Sequence, residues 1–339
     1  MKILFIGEHS GNSFIQYQSL KKIYKNVDII SPSRIIFSNK IFSYIFWHIS
    51  PKLFEPIINK YLLHKIKNTK YNLIYVMSLE FIGLKLILIL KNYTEKIVAY
   101  CADNPFSKRD HKRWDLCKPA LRHFDLIVFH QFSRIKQAKR YNLKKTLFVY
   151  PSYNKKLHSP PKMSFKEKKE LKNDIIFIGT WFPKRGKFMK KLYDKGLKFK
   201  IYGTGWNKDR YFDQMKNIIV LGHVNFLLYS KLIYCSKIAL GLVSEENLDD
   251  ITRRSIEIPA IGSLLCAKRT KIHKKLFIEN KEAIFFKNAN ECIQKCKKIL
   301  NNEKLLKKIS LNGHLQVTKK LKLNVDEMIK KIIKMQINE

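Results

Sequence analysis

The sequence predicts an α/β protein made of two doubly wound domains in tandem, and three observations lead to that class. Short apolar runs alternate with longer amphipathic ones along most of the chain, which is the pattern of βαβ units feeding a parallel sheet. The alternation breaks once, over residues 151–173, where Pro151, Pro160, Pro161 and the charged run 166–172 intervene, and then it starts again. The length of 339 residues exceeds what one hydrophobic core usually organises and suits two.

In the first half, residues 1–150, the expected strands are 2–6, 27–30, 73–77, 97–101, 126–129 and 146–149, with helices between them. The first run turns polar at Glu8 and His9, too early for the apolar core of a secretory signal, so it reads as a strand. One segment departs from the alternation. Residues 34–66 carry Phe42, Tyr44, Phe46, Trp47, Leu53 and Phe54 beside Lys40, Lys52, Lys60 and Lys65. This helical, aromatic and basic insertion suits either a hairpin packed on the first domain or a peripheral contact with an anionic membrane or a lipid-linked acceptor.

After the linker at 151–173, the second domain, 174–300, has expected strands at 174–178, 199–202, 218–221, 238–243, 263–266 and 283–286. The helical, Lys-rich tail over 301–339 can return to brace the first domain. The longest apolar stretch, 79–90, is interrupted by Glu80 and Lys85 and is too short to span a bilayer. A cytoplasmic protein is expected, at most peripheral at the inner face of the membrane.

The formal charge of +40 fits nucleic acid or an anionic surface. However, the basic residues are 56 Lys against 11 Arg, with Ile and Asn also abundant, which is what an A/T-rich coding sequence produces on any surface. No specific nucleic acid is expected, and each Arg in a motif carries more information than any Lys. The six cysteines include no C-x-x-C pair, and several sit inside apolar runs, where reduced thiols act as small hydrophobes.

Three motifs in the second half carry chemistry. Phe177-Ile178-Gly179-Thr180-Trp181 ends a strand in Gly and leads through Lys184-Arg185-Gly186 into a helix, whose N-terminus favours a phosphate. Arg185 can add a charge-assisted fork to it, or can lie in a solvated loop. Tyr202-Gly203-Thr204-Gly205-Trp206 permits a tight turn and a close approach of backbone to a ligand, but it lacks the third glycine of a dinucleotide fingerprint. The third motif, 247–262, places Asp249, Asp250, Thr252, Arg253, Arg254, Ser255 and Glu257 after a strand, at the edge where open α/β sheets bind ligands. Thr252 or Ser255 can cap a short helix there, and Arg254 and Glu257 can share a face as a structural salt bridge or as ligand groups.

Together these residues resemble the CgeB-like (spore-maturation-protein-like) glycosyltransferases, related to glycosyltransferase families 1 and 4. The resemblance rests on Thr252-Arg253-Arg254-Ser255-Ile256-Glu257-Ile258-Pro259-Ala260, the two glycine motifs, and Ala99-Tyr100-Cys101-Ala102-Asp103-Asn104-Pro105-Phe106 with Phe124-Asp125-Leu126 in the first half. It covers most of the chain except 34–66. The resemblance implies a GT-B fold, two Rossmann-like domains facing a cleft with C-terminal helices. It also implies a nucleotide-sugar donor on the second domain, an acceptor on the first, and polysaccharide or surface-glycan assembly. By position it implies that Arg185-Gly186 binds the donor diphosphate, with Gly179, Gly203 and Gly205 lining the donor. Glu257 would hold ribose hydroxyls, and Asp249 is the first of two acids eight apart, with Asp where the family has Glu. A family arginine would fall at Thr180, and Arg253 or Arg254 replaces its charge.

For the chemistry, Arg185 and Arg254 are the expected stabilisers of a leaving diphosphate. Asp103 is the first choice for a base, with Glu8 and His9 behind it. The chain has no D-x-D pair, so no metal and no cofactor are expected. Two other functions fit parts of the sequence: a nucleotide-sugar epimerase on the same fold, and a non-catalytic basic module for nucleic acid or membrane.

Overall fold

A computed structural model describes residues 1–106, 110, 112–143, 145–244 and 249–337. The first six strands are β1 (Ile3–Ile6), β2 (Val27–Ile30), β3 (Leu73–Val76), β4 (Ile97–Cys101), β5 (Leu126–Phe129) and β6 (Thr146–Phe148). The second six are β7 (Asn173–Ile178), β8 (Lys200–Gly203), β9 (Ile219–Leu221), β10 (Ser236–Gly241), β11 (Leu264–Lys268) and β12 (Ile284–Phe286). Each lies within two residues of its expected bounds. β1, β3, β4 and β5 are buried along their whole length, because helices cover both faces of a parallel sheet and leave no position for a polar side chain. The edge strands β2, β6 and β9 are more open and less uniformly buried.

The first sheet has the order β2-β1-β3-β4-β5-β6 and the second β12-β11-β10-β7-β8-β9. Every pairing is parallel. Strand order therefore reverses between β1 and β3 in the first sheet and between β7 and β10 in the second. At such reversals the connecting helices leave toward opposite faces, and a crevice opens at the carboxyl ends of the strands.

The chain divides into two compact units. The first comprises Met1–Tyr150, Glu245–Asp249 and Val325–Glu339, and the second Pro151–Ser244 and Asp250–Asn324. The segment 151–173, read from the sequence as a linker, thus groups with the second unit. The expected tail divides at 324/325: the helix Glu303–Leu315 packs in the second unit, and the helix Val325–Ile337 packs in the first. There Ile329, Ile332 and Ile333 are buried, and Asp326 accepts hydrogen bonds from Ser19 Oγ at 2.5 Å and Lys22 Nζ at 2.7 Å, both on the helix Gly11–Tyr24.

The segment 34–66 is helical, running through Ser33–Phe37, Lys40–Tyr44, Ile45–Ile49, Pro51–Phe54 and Glu55–Ile66. Phe46, Phe54, Ile58, Leu62 and Ile66 enter the first unit's core. Among the described residues, no helix is long and apolar enough to cross a membrane.

Candidate functional site

The glycine motifs lie at the carboxyl end of the second sheet. Gly179 follows β7, and its N–H donates to the Tyr202 carbonyl at 2.9 Å, which draws the loops after β7 and β8 together. Gly203 has φ +152°, and a Cβ there would lie 2.2 Å from the Gly179 carbonyl oxygen. Gly205 has φ +77°, a left-handed turn that lets buried Trp206 donate its indole N–H to the Gly179 carbonyl at 2.9 Å. Gly186 serves packing: a Cβ would lie 1.5 Å from Asp209 Oδ2, and Asp209 accepts from the Trp181 indole at 2.6 Å.

Arg185 is buried on the first turn of the helix Pro183–Asp194. Its Nη1 donates to the Thr180 carbonyl at 2.7 Å, and its guanidinium carbon lies 5.6 Å from the centroid of the Phe177 ring. The helix starts without a side-chain cap, since Phe182 precedes Pro183 and has no oxygen to offer.

The stretch after β10 forms the helix Arg254–Ile261, closed by Gly262 in a left-handed conformation. Asn247 and Leu248, which begin the sequence motif, lie outside the described residues. Arg253 and Arg254 diverge. Arg253 Nε donates to Glu257 Oε1 at 2.9 Å, so the ion pair forms at i, i+4 and Arg254 is not the partner of Glu257. Arg254 instead reaches toward β7: a Cβ on Gly179 would lie 3.4 Å from its Nη1, and its guanidinium carbon is 5.8 Å from the Phe177 ring. Two guanidiniums therefore flank one aromatic ring at the strand-order reversal. Arg254 Nε and Thr252 Oγ1 are buried with no hydrogen-bond partner among the described residues.

Glu257 is buried. Burial opposes its ionisation, but His158, Arg253 and Arg254 outweigh that, and its pKa falls below the ordinary carboxylate value. Tyr229 donates its hydroxyl to Oε2 at 3.2 Å. His158 Nδ1 accepts the Asn154 N–H at 3.0 Å, which leaves the ring proton on Nε2, 3.8 Å from Glu257 Oε1. Tyr229 and His158 were not singled out in the sequence, because each is a lone aromatic or imidazole many residues from the motif it supports.

Ser255 is fully buried, and its hydroxyl meets His273 Nε2 at 2.7 Å. Because His273 Nδ1 donates to the Lys268 carbonyl at 2.7 Å, Nε2 is the acceptor and Ser255 the donor. Burial lowers the His273 pKa from 6.5 to about 4. The folded protein keeps the ring neutral down to about pH 4, while the unfolded chain takes up a proton near pH 6.5. The stability this contributes is complete above pH 6.5 and is lost as pH falls toward 4, by about 3 kcal/mol in total. Burial lowers the pKa of His158 too, and it acts in the same direction. Unfolding free energies measured in urea from pH 7 to pH 4 should therefore fall more steeply for the native protein than for His273→Gln. Parallel slopes would show that His273 does not contribute.

In the first unit, Asp103 follows β4, and its Oδ2 accepts from Arg113 Nη1 at 3.1 Å. Arg113 also binds Glu80 Oε1 at 2.6 Å and stacks on Trp47 and Trp114. Glu8 lies at the β1/β3 reversal and accepts hydroxyls from Ser31 at 2.6 Å, Ser78 at 3.0 Å and Ser33. His9 is exposed. Asp249 groups with this unit, whereas Glu257 belongs to the second; Asp249 Oδ1 accepts from fully buried Arg134 Nη2 at 3.2 Å, and Arg134 Nη1 donates to the Ala102 carbonyl. The sequence motif that joined Asp249 to Glu257 is thus divided between the units.

Two features lie away from these sites. Cys266, Cys292 and Cys296 are buried in the second core, with Cys266 Sγ 3.9 Å from each of the others. A cavity of about 1120 Å³ opens at the amino ends of β3 and β4 beside Ile333, at the edge of the first sheet opposite the strand ends that carry Glu8 and Asp103.

Residues 185–324 match the family described as glycosyl transferase-like. The match spans less than half of the chain. It contains Arg185, Gly203, Gly205 and the helix Arg254–Ile261, and the Gly179 loop packs on it from β7. No curated protein matches the chain. Among solved structures, sucrose-phosphate synthase from Thermosynechococcus elongatus superposes with a TM-score of 0.74 at 12% identity, covering 100% of this chain and 99% of that one. Anabaena HepE, solved in complex with UDP and glucose, gives 0.69 at 12% identity over 100% of both chains. The E. coli trehalose-6-phosphate protein bound with UDP-2-fluoro glucose gives 0.65 at 11% identity over 98% of each. The fold is therefore GT-B, and with the family match over residues 185–324 it supports an enzyme of glycosyl transfer.

Proposed function

We propose that the chain transfers a sugar from a nucleoside-diphosphate sugar to a glycan, lipid-linked or protein acceptor, as a CgeB-like enzyme of polysaccharide or surface-glycan assembly. The observation that carries this reading is the pair Arg185 and Arg254, which flank the Phe177 ring where the strand order reverses. Both guanidiniums stand beside the glycine loop after β7, where a diphosphate would meet donors from two sides of the motif. The uncapped helix at Pro183 adds its N-terminal dipole on the same loop.

In this reading the donor diphosphate lies over Gly179 and Gly203, with Arg185, Arg254 and the Thr252 hydroxyl around it. Arg254 supplies the charge that Thr180 cannot. Glu257, held ionised and oriented by Arg253 and Tyr229, receives the ribose hydroxyls. Ser255, committed to His273, positions the helix from below. As the sugar–phosphate bond breaks, charge grows on the departing diphosphate, and preorganised cations stabilise that state more than the ground state. These cations fill the role a metal would have, so the reaction proceeds without metal or cofactor. On the first unit, Asp103, oriented by Arg113, takes the acceptor's proton. UDP is the first nucleotide to try, since HepE was solved with it.

The test is a thermal-shift series with UDP, GDP, ADP, CDP and their sugars. One nucleotide at about 100 times its Kd should stabilise the protein by about 2.7 kcal/mol, and Arg254→Ala should lose that shift. A folded sample that responds to none of them would overturn the donor assignment.

A further inference from the structure

The helices between Ser33 and Ile66 carry apolar residues on both sides. Their inner side supplies Phe46, Phe54, Ile58 and Leu62 to the core. Their outer side ordinarily would be polar, as on the helix Ala289–Leu300, which exposes Asn290, Gln294, Lys297 and Lys298 and no large apolar group. Here the outer side shows Ile41 at 67% exposure, Tyr44 at 60%, Ile49 at 47%, Leu53 at 63% and Ile57 at 47%. The Phe42 ring lies 5.5 Å from the buried Phe54 ring, which ties the helix Lys40–Tyr44, bearing Ile41 and Tyr44, to the turn Pro51–Phe54, bearing Leu53. An apolar face of this kind in water marks an interaction surface.

Charge selects the occupant. Arg34, Lys40, Lys52, Lys60 and Lys65 are all exposed in this segment. Its one acid, Glu55, lies against Gly83, where a Cβ would sit 2.3 Å from its Oε1. Exposed apolar side chains with cations next to them in the sequence, Lys40 before Ile41 and Lys52 before Leu53, complement a surface that is anionic outside and hydrocarbon a few ångströms deeper. We propose that the outer face of Lys40–Ile57 docks the protein on an anionic lipid bilayer, with Ile41, Leu53 and Ile57 entering the headgroup boundary and Lys40 and Lys52 contacting lipid phosphates.

The experiment is co-sedimentation of the full chain with vesicles of phosphatidylcholine alone or mixed with phosphatidylglycerol. The protein should bind the mixed vesicles and leave the neutral ones largely bare. The triple variant Ile41→Ser/Leu53→Ser/Ile57→Ser removes only exposed side chains and should keep the native thermal transition. It should bind about tenfold more weakly or worse. Lys40→Glu/Lys52→Glu should show a loss of the same order. Undiminished binding by the triple variant would overturn the proposal and assign adsorption to the charge of the whole molecule. Absence of native binding would overturn it as well. So would self-association on gel filtration that the triple variant abolishes while vesicle binding is absent, since a second copy would then be the occupant.

Discussion

Arg254→Ala should lower turnover about 10²–10³-fold, the usual effect of removing one preorganised group that stabilises charge developing in the transition state. The fold should tolerate the change, at a cost under about 1 kcal/mol, because Arg254 makes no ion pair among the described residues and Glu257 keeps its bonds to Arg253 and Tyr229. Loss of activity with little loss of stability is what separates a ligand-facing arginine from a structural one. Arg254→Lys tests the geometry: an ammonium keeps the charge but lacks the planar fork, so it should recover only part of the rate if the contact is bidentate. The measurement is kcat and KM for nucleotide-sugar turnover beside a urea melt of each variant. Native kinetics in Arg254→Ala would remove this residue from the site.

Gly203→Ala should destabilise the second unit by about 3 kcal/mol or more. The backbone at 203 has φ +152°, which a side chain disfavours, and the new Cβ would stand 2.2 Å from the Gly179 carbonyl oxygen. Neither atom can swing away as the tip of a long side chain could. The β7 and β8 loops must separate, breaking the Gly179–Tyr202 and Trp206–Gly179 hydrogen bonds. A lowered denaturant midpoint, with nucleotide binding weakened in parallel, is the expected result. Native stability would mean that the loops close by a different geometry.

The strands were legible in the sequence because sheets covered on both faces demand unbroken apolar runs, and few other elements produce runs of that length between polar helices. The location of the glycine loops followed from the same pattern, since glycine and arginine after a strand can only lie at its carboxyl edge. The direction of each side chain was not legible. Arg253 and Arg254 are neighbours about 100° apart on a helix, and the sequence alone does not say which of them turns to Glu257. Ser255 looks like a ligand group until His273, eighteen residues later, is found against it. Gly186 looks like room for a phosphate until Asp209 is found in the space. Such pairings join distant parts of the chain and leave no periodic trace. The same holds for Asp249, whose partner Arg134 is more than a hundred residues earlier.

The return of the helix Val325–Ile337 to the first unit has a consequence for the order in which the protein is made. The strands of the first unit leave the ribosome before the second unit, but the cover over the helix Gly11–Tyr24, with Ile329, Ile332 and Ile333 buried and Asp326 bonded to Ser19 and Lys22, is translated after it. During synthesis the second unit, Pro151–Ser244 and Asp250–Asn324, has its sequence before the first is complete, so of the two units the one that emerges first closes second. Until then an apolar stripe on the first unit stays open to chaperones and to other nascent chains.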